Sequence, residues 1–91
     1  MLETVELARR IIQEQELVIG PLAWREAKKV KGLEIADEKH LVMRGESKDV
    51  LADLVAQYEE LFGPASREVC RQAVRSLVSE FPASEIPSVL K

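Results

Sequence analysis

Catalysis needs reactive groups held together, and this sequence has few. Its one histidine, His40, stands beside Lys39 with Asp37 and Glu38 close by. A general base or a metal centre would need partners of fixed geometry from elsewhere, and the chain has no second His and no suitably placed Cys. His40 therefore reads as a surface residue. The one cysteine, Cys70, falls mid-helix at a position expected to be small and buried. A reactive thiol would need surroundings that lower its pKa, and nothing near it in sequence provides them. There is no nucleophile–base set, no glycine-rich phosphate loop and no paired-carboxylate motif, so neither an enzyme nor a cofactor or metal is expected.

The residue types favour binding instead. Between Pro21 and Gly32 the basic residues Arg25, Lys28, Lys29 and Lys31 face a single acid, Glu26, and Trp24 stands next to them. Farther on, Arg67, Arg71 and Arg75 recur every fourth residue as a basic ridge along a helix. From Leu33 to Glu60, by contrast, eight acids oppose three bases. Surfaces of opposite sign associate, within a chain or between copies. Trp24 has two readings: a cover for the end of the core, or an exposed anchor for a partner. The expected partner is a second copy in a homodimer, or another protein, because the broad aliphatic stripes and two short hairpin strands exceed what one small core covers. The alternative is nucleic acid, held by the basic second helix or by the arginine ridge. Against that alternative stand a net charge of −3, a pI near 5.2 and the lack of interleaved aromatics.

These groups are positioned by short amphipathic elements. Leu7, Ala8, Ile11, Ile12, Val18 and Ile19 recur at helical spacing and predict a first helix from Leu2 to Ile19. Gly20-Pro21 then makes a sharp corner, since proline suits the first turn of a new helix. A second helix is expected from there to about Val30, with Ala23, Ala27 and Val30 inward, closed by Gly32. The alternation in residues 33–43 predicts a small β-hairpin with Asp37-Glu38-Lys39 between its strands. Ser47 is expected to cap a third helix, with Asp49 in its first turn. That helix carries the clearest apolar stripe, Val50, Leu51, Leu54, Val55, Tyr58, Leu61 and Phe62. Gly63-Pro64 repeats the corner. A fourth helix is expected from Pro64 to Glu80 with Val69, Ala73, Leu77 and Phe81 inward, and Pro82 stops it. The tail carries Ile86, Val89 and Leu90 and is expected to dock as one more turn.

The expected fold class is mainly α, in one domain over residues 1–91. An offset of 43 residues lays Gly20-Pro21 on Gly63-Pro64, Val18-Ile19 on Leu61-Phe62 and Glu16 on Glu59. The chain therefore reads as two helix–Gly-Pro–helix units, 1–31 and 44–81, forming a four-helix core with the hairpin 33–43 between them. The strings Val18-Ile19-Gly20-Pro21-Leu22-Ala23 and Leu61-Phe62-Gly63-Pro64-Ala65-Ser66 resemble the "IGPxA" signature of small helical domains of uncharacterised function at the ends of bacterial signalling proteins. That resemblance implies a signalling or assembly accessory. It covers about 15 residues of each half, and the hairpin departs from it. The lone cysteine, and Glu3 and Glu6 where a signal peptide would carry bases, fit a cytoplasmic protein with no membrane partner.

Overall fold

Two glycines decide where the chain turns. Gly20 has φ 74° and ψ −159°, and Gly63 has φ 88° and ψ 178°, a region that side-chain-bearing residues essentially never enter. The proline after each is already helical, at φ −57° for Pro21 and −59° for Pro64. The hydrogen bonds match as well. Gly20 N–H donates to the Glu16 carbonyl at 2.9 Å and Gly63 N–H to the Glu59 carbonyl at 2.8 Å. Beyond the corners, Ala23 N–H reaches the Gly20 carbonyl and Ser66 N–H the Gly63 carbonyl, both at 3.0 Å.

The computed structural model describes residues 3–91 and is mainly helical. The elements run α1 (Val5–Ile19), α2 (Leu22–Ala27), β1 (Leu33–Asp37), β2 (His40–Met43), α3 (Ser47–Phe62) and α4 (Ala65–Val74), then short 3₁₀ turns at Val78–Glu80, Ala83–Glu85 and Ser88–Leu90. The start expected at Leu2 lies outside the described residues. The buried residues of α1 are Leu7, Ala8, Ile11, Ile12 and Gln15; those of α3 are Val50, Leu51, Leu54, Val55 and Tyr58, each 43 positions on. α1 packs most extensively on α4, and α3 on α4 and α2. Full burial of aliphatic side chains such as Leu7, Ile11, Leu51 and Leu54 contributes about 1.5–3 kcal/mol each.

Several boundaries differ from the sequence expectation. α2 ends at Ala27, and the chain reaches Val30 through turns, although Ala23, Ala27 and Val30 are all buried as expected. α4 ends at Val74, short of Glu80. Its inner face is Ser66, Cys70, Ala73 and Val74, while Val69, Leu77 and Phe81 are only half-buried. Ser76 and Ser79 favour turns over a helix interior, and Phe81 is pushed into extended backbone by Pro82. Ser47 does not cap α3. Glu46 holds that position without a side-chain bond, and Ser47 is the first helical residue, its hydroxyl 3.5 Å from the Glu85 carbonyl that accepts it.

The hairpin is antiparallel with an irregularity between Ile35 and Asp37, so Asp37 belongs to β1 and the turn is Glu38-Lys39. Leu33 and Leu41 are buried, and Ile35 and Met43 pack against the helical core. The tail docks through Ile86 and Leu90, both buried.

Because the corners require glycine backbone while an added Cβ would meet no neighbour within 4 Å, Gly20→Ala and Gly63→Ala should each cost conformational energy without a clash. The expected loss is about 1–3 kcal/mol per site, read in thermal melts as a drop of at least about 4 °C. Unchanged midpoints would contradict this account of the corners.

Candidate functional site

The cations singled out from sequence separate into paired and unpaired sets. In α2 the Glu26 carboxylate is buried and takes Lys29 Nζ at 3.1 Å and Gln57 Nε2 of α3 at 2.9 Å. These bonds, Gln57 first, hold the Glu26 pKa below its ordinary value. Arg25 and Lys28 are exposed, without an ion pair among the described residues. On α4, Arg67 grips Glu59 of α3 through two nitrogens, at 2.8 and 2.7 Å, and lowers the Glu59 pKa. Arg71 pairs with Glu68 and leaves its Nε buried without an acceptor. Of the ridge, Arg75 alone is exposed and without an ion pair among the described residues. The structure thus brings Lys29, Arg67 and Arg71 to acids of the same chain. Trp24 is half-buried and packs against the core, the first of its two placements.

The groups with reactive potential stand apart. His40 Nδ1 lies 2.8 Å from Asp37 Oδ1 in the exposed hairpin turn, and Asp37 is held below its ordinary pKa by His40 and by the Lys39 N–H. Cys70 is buried, and desolvation pushes its thiol up to about 11. So high a pKa leaves very little thiolate at neutral pH. No three His, Cys, Asp or Glu residues among the described residues stand together as a metal site requires.

What the structure does gather is the two corners. Tyr58, near the end of α3, donates its hydroxyl to the carbonyl of Ala23 in α2 at 2.7 Å. Gln15, at the equivalent place in α1, donates its amide to the carbonyl of Ser66 in α4 at 3.1 Å. The same amide stands 3.3 Å from Cys70 Sγ. Ala23 and Ser66 are again 43 positions apart, so each long helix is bonded to the first turn beyond the other corner. Both corners therefore lie at one end of the molecule. In the sequence Tyr58 continues an apolar stripe and Gln15 interrupts one. The available signal was that these are the only polar side chains in the two stripes, at matching positions.

At that end the stripes outrun the core. One turn beyond Gln15 and Tyr58, Val18 is 64% exposed, Leu61 51% and Phe62 37%; Leu17, on the opposite side of α1, is 80% exposed. The last turns of α1 and α3 carry Glu16, Glu59 and Glu60 and no base, although a helix C-terminus favours cations. Beside the Gly63-Pro64 corner, an open groove of about 550 Å³ runs along α3. Ala52, Val55, Ala56, Pro64 and Val89 line it together with Glu59 and Glu60. No known protein family, curated protein or solved structure matches the chain. Among the described residues, no helix is long and apolar enough to cross a membrane.

The carboxylates of Glu26 and Glu59 tie α2 to α3 and α3 to α4, and both have depressed pKa values. A depressed pKa contributes stability that is present above the ordinary value of 4.5 and lost as pH falls through the folded-state value. Urea midpoints should therefore hold steady down to that range and fall below it. The fall should shrink in a Glu26→Gln, Glu59→Gln double variant. An equal fall in both proteins would assign the acid sensitivity elsewhere.

Proposed function

We propose that the chain is a non-enzymatic protein-interaction module, and that its contact surface is the end where the two corners meet. The observation that carries this reading is the run of each core stripe past its core into exposed Val18, Leu61 and Phe62. Isolated surface hydrophobes are ordinary, but side chains in register with a buried stripe at paired helix ends form a preset apolar face. The finer architecture belongs to the same proposal: one domain built of two helix–Gly-Pro–helix units around a shared four-helix core. The matched corner geometry and the reciprocal Tyr58 and Gln15 bonds support it. A signalling or assembly accessory is the role proposed from the "IGPxA"-like strings, and the free buried Cys70 suits a cytoplasmic setting.

Between the expected partners, another protein is favoured over a second copy. The hairpin, one reason to expect a homodimer, uses its apolar side on the helices of its own chain. Nucleic acid is the weaker reading, because Lys29, Arg67 and Arg71 already serve acids of this chain and the molecule is net acidic.

Selection of displayed random peptides on the immobilised chain tests the proposal. Enriched peptides should lose about tenfold or more in affinity, roughly 1.4 kcal/mol, against a Val18→Asp, Leu61→Asp variant whose melt is unchanged. Light scattering on the 10.2 kDa chain reads the dimer alternative directly. Failure to enrich any peptide, combined with sub-micromolar nucleic-acid binding abolished by Arg25→Glu and Lys28→Glu, would transfer the function to the second reading.

A further inference from the structure

Residues 82–91 repeat one small plan. Pro82 and Pro87 stand in polyproline-II geometry, at φ −59°, ψ 142° and φ −67°, ψ 149°, and each opens a single 3₁₀ turn that leads to one buried aliphatic side chain, Ile86 and then Leu90. The turns are self-contained. Glu85 and Ile86 donate to the Pro82 and Ala83 carbonyls, and Leu90 and Lys91 to those of Pro87 and Ser88, at 2.9–3.2 Å. Among the described residues, no backbone–backbone hydrogen bond joins this segment to the rest of the molecule, and its one side-chain bond is the long contact of the Ser47 hydroxyl with the Glu85 carbonyl, 3.5 Å. Its docking therefore rests on buried Ile86, Pro87 and Leu90, with Val89 half-buried beside them.

We propose that this segment is a releasable strap, lying in a peptide track that an Ile-Pro-x-x-Leu segment of a partner protein fills in its place. The proposal goes beyond the corner-end contact and does not depend on it. The strap's own contacts trace the track. Glu85 sits at Ser47, the first residue of α3, and Val89 lies beside Ala52, Val55 and Pro64, so the chain follows α3 toward the Gly63-Pro64 corner while the Ser88–Leu90 turn packs on α4. The groove beside Val89 leaves part of the track open to an incoming segment. Release breaks no backbone hydrogen bond to the helices, so its cost is the apolar surface it uncovers. Segments held in this way open below the free energy of global unfolding. What release uncovers is matched by a segment of the same kind: two aliphatic side chains four residues apart, with a proline between them that presents no N–H and pre-sets the extended backbone. A second copy's strap has the same sequence and gains nothing over the resident one, which is tethered at an effective concentration of about 1 mM. A partner segment that also reaches into the open groove makes contacts the resident strap lacks.

A synthetic peptide of residues 82–91 serves as the probe, titrated into the full ¹⁵N-labelled chain and into its Ile86→Ser, Leu90→Ser variant. A strap docked nine-tenths of the time or more corresponds to a Kd in trans of about 0.1 mM or below, within reach of such a titration. The variant should keep the amide shifts of α1 and lose those of the docked strap. The peptide should bind it about tenfold or more tighter than the wild-type chain, where the resident strap competes. A peptide carrying the same two substitutions should give no response. Relaxation dispersion of methyl groups in the wild-type chain reads release without any substitution: Ile86 and Leu90 should share a microsecond-to-millisecond exchange that Ile11 and Leu51 lack. Equal affinity of the peptide for both chains, or Ile86 and Leu90 methyls as static as those of Leu51, would overturn the strap. So would a variant that does not fold, because release would then mean global unfolding. A wild-type dimer that dissociates as peptide is added would overturn the partner and assign the track to a second copy's strap.

Discussion

The arrangement depends on a reciprocal pair of hydrogen bonds. The Tyr58 hydroxyl and the Gln15 amide each leave a long helix and reach a backbone carbonyl just past the opposite corner, at Ala23 and Ser66. Both donors are fully buried, where an unmade bond costs about 1–3 kcal/mol, so their positions tolerate little sliding. A hydrophobic stripe alone would allow α1 and α3 to shift by a turn against their neighbours. Two buried donors, each bonded to a carbonyl past the opposite corner, set the register. Burial also raises the Tyr58 pKa well above its ordinary value, so the hydroxyl remains a donor throughout the physiological range.

From that register follows the location of everything exposed. The Gly20 and Gly63 corners are forced to the same end, and one turn past Gln15 and Tyr58 the side chains of Val18, Leu61 and Phe62 stay exposed while Ile19 still packs on the core. The charged residues divide on the same plan. Glu26 and Glu59, which tie α3 to α2 and α4, are neutralised by Lys29 and Arg67, while Glu14 and Glu60 stay in solvent. Internal ion pairs thus consume most of the basic ridge and leave Val18, Leu61 and Phe62 exposed at the end where the corners meet.

Periodicity made the four helices, the hairpin and both corners legible, because glycine before proline and a helical stripe are strong local signals. The buried positions of α1 and α3 also lie 43 residues apart, from Leu7 and Val50 to Gln15 and Tyr58. What stayed hidden depended on contacts between distant elements. Glu59 and Arg67 lie eight residues apart across a corner, so a spacing rule for one helix placed Arg67 on a ridge and missed its partner. The sequence expectation makes α4 too long because Leu77 and Phe81 continue an apolar pattern that serves docked turns equally well. Gln15 looked like a polar interruption of an apolar face, and only the carbonyl of Ser66, far along the chain, gives it a purpose. The surplus of aliphatic surface is legible in the breadth of the stripes, but its place is not, since exposure is decided by where the neighbouring helices stop.

The account stands or falls on whether the two ties exist together in solution. Nuclear Overhauser spectra of the full chain measure this directly. The account predicts cross-peaks from the Tyr58 ring to Ala23, and from the Gln15 side-chain amide protons to Ser66 and Cys70, in the same folded species. Contacts of Tyr58 only within α3 and α4, and of Gln15 only within α1 and α2, would contradict it.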